Sequence, residues 1–391
     1  MNTAKLDLRK VGIFIVFACI LSLPCYSYIS GMGNIDSIMK LIAGITIIAI
    51  IILNAKGFSI SDLTIGVILY GAVLLLSTVL NKASLGTFLG YYMPILIVGL
   101  LFDHYADDLI TLVSALMLLC EIICYLNLAS IIAFPNGLYN DGWYWQNWIL
   151  GYKNKFSVYL IVVLLIGFVH KQLGGSTLRT YGLYAACIAS AVLAKSSTQI
   201  LGFSMIVLLF VIMDIHELRI NPYVLILINV VSYIVILIIG SRSRILDMIT
   251  LALNRDATFS GRTVIWERVM ELISKSPIIG CGVQANDIVA NQLGYRWAAQ
   301  AHNLILQILY QGGFAALFVY VVMINLCLKQ INEVRDTGIS KGATIILFVF
   351  FIMALMETLG GSGFTWIIFY IAYYSPDMVY ALQPPEEENV E

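Results

Sequence analysis

Twelve apolar stretches, each close to the roughly 20 residues that a helix needs to cross a hydrocarbon core, run the length of the chain. They fall at 11–29, 36–54, 62–80, 86–102, 109–134, 156–170, 178–194, 199–213, 222–240, 303–326, 343–359 and 363–382. None alternates apolar and polar residues with period two, which argues against a β-barrel. The expectation is therefore an all-α fold, a polytopic integral membrane bundle of about twelve transmembrane helices. The composition fits that reading: 60% of residues are hydrophobic and 12% charged, whereas a soluble domain carries about a quarter charged. A net charge of −1 leaves no electrostatic footprint for a nucleic-acid partner.

The first stretch lacks a small-residue cleavage site and runs straight into a second, so it reads as an anchor and not a removed signal peptide. An even number of spans puts both termini on one side. Lys5, Arg9 and Lys10 precede span one, and Lys329, Arg335 and Lys341 follow span ten, which by the positive-inside rule makes that side the cytoplasm. Basic residues divide 10 against 12, but seven of the 12 sit in one long loop that the rule discounts. The seven cysteines fall mostly within spans and give no disulfide framework. Cys120 and Cys124 flank Glu121 but are too few for a metal site, so they read as small packing residues, and no metal or cofactor is expected.

Two connections are long. Residues 135–152 hold Trp143, Tyr144, Trp145 and Trp148 and lead into Lys153, Asn154 and Lys155. They read either as an interfacial aromatic belt or as a sugar platform, with aromatic faces against pyranose C–H faces and Asn154 satisfying hydroxyls. Residues 241–302 hold twelve of the 45 charges. This loop divides the chain into a bundle of nine spans (1–240), an extracytoplasmic segment (241–302), and three further spans ending in a short acidic tail (303–391). It opens with Arg242 and Arg244. An amphipathic helix follows from Gly261 to Ser274, N-capped by Ser260 and ended by Pro277, with Ile265, Val269, Leu272 and Ile273 as its apolar stripe. Gly280 to Ala285 matches a dinucleotide-binding pattern but lacks the preceding strand, and reads as a turn.

The chemistry available to the loop is a set of arginines and one histidine where a span meets water. A guanidinium fork grips phosphate oxygens, and an imidazole can take a proton from a hydroxyl. These residue types suit a phospholipid-like anion with a base beside it.

The run Ser260-Gly261-Arg262, Ile265-Trp266, Pro277, Gly280, Gly282, Ala301-His302-Asn303 and Gly312-Gly313 resembles the signature of the O-antigen ligase and polymerase superfamily. Gly151-Tyr152-Lys153-Asn154 and Lys195-Ser196-Ser197-Thr198 are fainter echoes of the same pattern. The resemblance implies a bacterial multi-pass protein of the cytoplasmic membrane whose outward-facing site joins undecaprenyl-diphosphate-linked oligosaccharides without a metal or nucleotide sugar. By that resemblance Arg262 binds the donor's diphosphate and His302 is the base that activates the acceptor sugar hydroxyl. Where family members often carry an arginine after the serine between spans seven and eight, this chain has Ser197. The second diphosphate cation is then sought among Arg244, Lys195, Lys153 and Arg242, in that order.

The missing arginine favours a capsule, exopolysaccharide or O-antigen polymerase over a ligase. A chain-length regulator or a flippase are the protein partners such a role implies. Glu121 and Glu357, read as carboxylates within spans, support a competing expectation, a twelve-span transporter or lipid flippase. No matching pair of Gly/Pro-broken spans in the two halves supports it.

Overall fold

The computed structural model describes residues 8–21, 23–28, 35–53, 59–142, 144–215, 221–240, 258–295 and 298–382. Arg242, Arg244, Trp143 and the acidic tail lie outside the described residues. Helices α1 (Leu8–Ile20), α2 (Ile35–Leu53), α3 (Asp62–Leu80), α4 (Leu85–His104), α5 (Leu109–Ala133), α6 (Phe156–Gln172), α7 (Thr177–Leu193), α8 (Ser197–Ile215) and α9 (Pro222–Gly240) occupy the first nine apolar stretches. Two amphipathic helices, α10 (Thr258–Lys275) and α11 (Asn286–Leu293), follow. Then come α12 (Leu304–Glu333), α13 (Gly338–Ala354), and a composite of a 3-10 turn (Gly363–Trp366) with α14 (Ile367–Tyr373) and α15 (Ser375–Tyr380).

Among the described residues five helical segments are long and apolar enough to cross a membrane unaided: Asp62–Leu80, Leu85–His104, Ala106–Ala133, Lys153–Gln172 and Leu304–Glu333. Five shorter apolar helices accompany them. Helix α6 is the axis of the bundle. Leu160 through Ile166 are fully buried, as expected of a helix apolar on every side. Around it, α5, α7, α8 and α13 pack directly, while α3 lies along α12 and against α4. The outer helices turn apolar faces outward. On α9, Val224, Leu227, Ile228, Val231, Ile234 and Val235 are all exposed at helical spacing, a surface that water would not tolerate over such a length.

Several ends differ from the hydropathy reading for local reasons. α1 stops at Ile20 because Pro24 cannot extend a helix and opens a 3-10 turn instead. α13 ends at Ala354, not 359, and Glu357 consequently lies beyond it. α10 begins at Thr258, so Ser260 stands inside the helix and not at its cap. Within 135–152 a two-stranded antiparallel ribbon pairs Asn147 with Tyr152 and Trp148 with Gly151. Where α3 begins and α4 ends, the buried Asp103 accepts from Ser61 N–H (3.0 Å), Ser61 Oγ (2.7 Å) and Tyr374 OH (2.8 Å), which satisfies its burial.

Candidate functional site

Helix α10 is held by its apolar stripe. Ile265, Val269 and Ile273 are buried against Val289 and Leu293 of α11 and Leu306 and Tyr310 of α12. Trp266, one turn after Arg262, donates its indole N–H to the Ala301 carbonyl at 3.0 Å. The spacing in Gly-Arg-x-x-x-Trp therefore has a physical meaning. Positions i and i+4 share one helix face, so fixing the tryptophan to the segment before His302 brings the arginine to the same place.

The glycine motifs meet at a break in α12. Gly313 adopts φ 63° and ψ −162°, interrupting the helix, and the 277–282 segment fills the gap. Cys281 N–H donates to Tyr310 O (2.6 Å) and Gly282 N–H to Gln311 O (3.0 Å), while Phe314 and Ala315 N–H donate to the carbonyls of Pro277 (2.8 Å) and Ile278 (3.0 Å). Gly280, at φ +68°, approaches so closely that a Cβ there would meet Tyr310 O at 2.6 Å and Gly312 N at 2.7 Å. Only glycine fits such an approach. The same segment docks on α3 through Asn81 Nδ2 to Gly280 O (3.1 Å) and Val283 N–H to Thr78 Oγ1 (3.1 Å).

His302 sits between two pinned residues and has a left-handed backbone, φ +49°, a conformation rare for a residue with a side chain. On one side, Ala301 N–H donates to Gln307 Oε1 at 2.8 Å. On the other, Asn303 caps α12 by accepting from Leu306 N–H (3.0 Å) and donates from Nδ2 to Leu355 O (3.2 Å). That last bond ties down the segment that carries Glu357. The result is a convergence of three groups. Arg262 Nη2 lies 2.9 Å from Glu357 Oε1, and His302 Nδ1 lies 3.8 Å from Glu357 Oε2. Their side chains are 19%, 20% and 13% exposed for Arg262, His302 and Glu357, so the Arg262 and Glu357 charges interact with little water between them. His302 Nδ1 is itself buried without a hydrogen-bond partner.

Glu357 and His302 line a cavity of about 170 Å³ together with Tyr28, Asp141, Tyr144, Tyr152, Asn154, Lys155 and Gln300, among others. Tyr144 stacks on Tyr152 with ring centroids 3.8 Å apart, and its backbone N–H donates to Asp141 Oδ1 at 2.6 Å. Burial, and then the neighbouring Tyr152, Glu357 and Asp141, raise the Tyr144 phenol, with Arg262 opposing them. Burial and Glu357 likewise raise Tyr152. Both hydroxyls thus remain neutral donors and acceptors, the kind a sugar engages.

The aromatic segment divides. Tyr144 and Asn154 reach the cavity, but Trp148 is 2% exposed and donates its indole N–H to Phe134 O at 2.8 Å, an anchor of the loop and not a platform. Trp145 is 84% exposed and is not part of the cavity wall. Lys153 and Lys195 meet each other: Lys153 Nζ donates to the Lys195 carbonyl at 3.3 Å, and Gln199 Nε2 donates to Lys153 O at 2.5 Å. Lys155, two residues on, faces the cavity instead.

Glu357, Tyr152 and Lys155 line the cavity without being among the donor- or sugar-binding residues expected from sequence, where Glu357 figures only in the transporter reading. The Gly360-Gly361-Ser362-Gly363 cluster was the available signal, because it is a breaker that ends the preceding span early. Glu121, the other carboxylate of the transporter expectation, is engaged by Arg179 between α5 and α7. Among the described residues no three His, Cys, Asp or Glu side chains converge as a metal ion would require.

Residues 182–321 match the family model of O-antigen ligase, from α7 to beyond the break in α12. The matched stretch contains Lys195, Arg262 and His302; Glu357 and the aromatic segment lie outside it. No curated protein matches the chain.

Proposed function

We infer that this chain, whose residues 182–321 match the family model of O-antigen ligase, is a polysaccharide polymerase joining lipid-diphosphate-linked oligosaccharide repeat units by inverting glycosyl transfer. The observation that carries the reading is the meeting of Arg262 and His302 on Glu357 at the edge of one cavity. A phosphate-gripping cation and a proton acceptor, contributed by helix α10 and by the turn before α12, stand within reach of one small polar chamber.

The chemistry follows from those groups. An acceptor sugar in the cavity places a hydroxyl near His302, which takes its proton. The oxygen attacks the donor's anomeric carbon from the face opposite the leaving group, the bond from that carbon to the phosphate oxygen breaks, and the electron pair departs on the lipid diphosphate. Arg262 offers a fixed positive charge where negative charge accumulates, an electrostatic contribution that needs no reorganisation during the step. Tyr144, Tyr152, Asn154 and Gln300 supply hydroxyl and amide partners for a ring that fills a chamber of about 170 Å³, well under the range for drug-sized ligands. Lys155 joins Arg244, Lys195, Lys153 and Arg242 as a candidate for the second diphosphate cation.

The same reading sets the protein in a bacterial cytoplasmic membrane with twelve spans, both termini cytoplasmic and the site on the outer face. In that arrangement α1, α3, α5, α7, α9 and α13 run outward, and α12 runs inward from the loop that carries the site. Purified protein supplied with a lipid-diphosphate-linked repeat unit, and neither metal nor nucleotide sugar, is expected to produce a ladder of lengthened lipid-linked glycans on a gel. One discrete transfer to a separate acceptor would make it a ligase. Movement of substrate across vesicles without lengthening would make it a transporter.

A further inference from the structure

We propose that Glu357 is a placeholder for the donor's diphosphate on Arg262, and that its displacement by the donor prepares His302 to act as base. The inference rests on the functional reading above but concerns a residue outside the family match.

The two oxygens of Glu357 have different neighbours: Oε1 is hydrogen-bonded to Arg262 at 2.9 Å, while Oε2 stands 3.8 Å from His302 Nδ1. The first is a charge-assisted bond. The second is too long for a hydrogen bond, which forms near 2.9 Å, and it leaves Nδ1 a buried nitrogen without a partner. A bond formed on one side and unformed on the other is what a carboxylate poised between two partners looks like.

At rest, Glu357 answers the charge of Arg262, whose side chain is 19% exposed, a charge that would be costly if left alone. A diphosphate brings more negative charge and a geometry that suits the arginine fork better than one carboxylate oxygen does. It therefore takes Arg262 and releases Glu357. Glu357 Oε2 already faces His302 Nδ1 at 3.8 Å, and Lys155 and Asp141 are the other charged groups on the cavity wall.

Closing that gap requires a proton on Nδ1, which fixes the tautomer and leaves the lone pair on Nε2. In the reaction Nε2 takes the acceptor hydroxyl proton as the new carbon–oxygen bond forms and the old one breaks. The imidazolium so formed is balanced by Glu357. Base and donor are thereby linked: without a diphosphate on Arg262, the carboxylate that orients His302 is engaged elsewhere. Glu357 is thus a positioning residue.

The test uses the full chain in detergent micelles, with inorganic pyrophosphate and farnesyl diphosphate as binding probes and lipid-linked repeat units for turnover. Glu357→Gln removes the competing charge but keeps the shape. It is expected to bind the diphosphate probes at least about five-fold tighter, the lower end of ordinary coupling between two ligands, while kcat falls about 10- to 100-fold. Tighter binding together with slower turnover is a split that a merely structural role would not give. Weaker or unchanged probe binding in Glu357→Gln overturns the proposal.

Should that variant fail to fold, nitrogen NMR of the wild-type imidazoles decides. Saturating pyrophosphate is expected to move His302 to the Nδ1–H tautomer, and an unchanged His302 overturns the proposal. If neither probe binds the wild type, and Arg262→Ala behaves identically, it is the diphosphate reading of the site that has failed.

Discussion

Arg179 meets Glu121 with two nitrogens on two oxygens, Nε at 2.7 Å and Nη2 at 2.5 Å, whereas Arg262 meets Glu357 through Nη2 alone at 2.9 Å. Both pairs join parts of the chain far apart in sequence, and both carboxylates read from sequence as charges within spans. The first pair is closed: each oxygen of Glu121 accepts from a nitrogen of Arg179. It fastens α5 to α7. The second is open, with one oxygen turned towards His302 and a cavity beside it. The two pairs differ less in burial than in what they leave unsatisfied, and on that ground Glu357, not Glu121, is the candidate functional carboxylate.

Substitutions can break this contrast or sharpen it. The largest effect is expected from His302→Ala and Arg262→Ala, which should lower elongation by about 10²- to 10⁴-fold, the span attributed to a positioned acid–base group. Membrane-inserted protein should stay constant on immunoblot. Arg262→Lys should not restore activity, because an ammonium lacks the planar fork; full activity in that variant would remove the case for diphosphate at this position.

Next comes Glu357→Ala, expected to cost about 10- to 100-fold in turnover as the loss of an orienting group does. Trp266→Phe removes the indole donor to Ala301 O together with part of a buried ring. It should destabilise by about 1 kcal/mol for the bond and more for the cavity left behind, and slow turnover a few-fold through the displaced His302 segment, as read by thermal unfolding beside the elongation assay. The smallest effect is expected at the closed pair. Glu121→Gln should change turnover less than about two-fold, with about 0.5 kcal/mol lost from stability, since the Arg179 side chain is 43% exposed and partly screened. A large loss of turnover there would erase the distinction between the two pairs.

What could be read from sequence follows from how local each signal is. Hydropathy is local, so the helices fall where the apolar stretches do, while their ends shift by several residues: Pro24 accompanies the early stop of α1, and α12 runs on to Glu333 through the polar Lys329-Gln330 end that hydropathy leaves out. Arg262 and His302 were legible because their motif encodes contacts between segments close in sequence, Trp266 with Ala301 and the 277–282 segment with Tyr310 through Ala315. Glu357 was misplaced because a five-residue overrun of α13 put a loop carboxylate inside a span. Lys153 and Lys155 are two residues apart on a 3-10 turn, and pattern alone cannot say which of them faces the chamber. Trp148 and Tyr144 are equally aromatic on paper. Only the packing under Phe134 and over Tyr152 separates an anchor from a wall.

The interruption at Gly313 also sets an order of assembly. In an uninterrupted helix Phe314 N–H would pair with Tyr310 O and Ala315 N–H with Gln311 O; residues 277–282 take all four groups instead, and leaving them unpaired would cost several kcal/mol per group in hydrocarbon. The break at Gly313 therefore holds only with the loop in place. The loop in turn is held by Asn81 and Thr78, 199 and 205 residues earlier in the chain than Gly280 and Val283. The clasp closes late in the life of the nascent chain, and the reacting groups come into register only once the surrounding bundle exists to contain them.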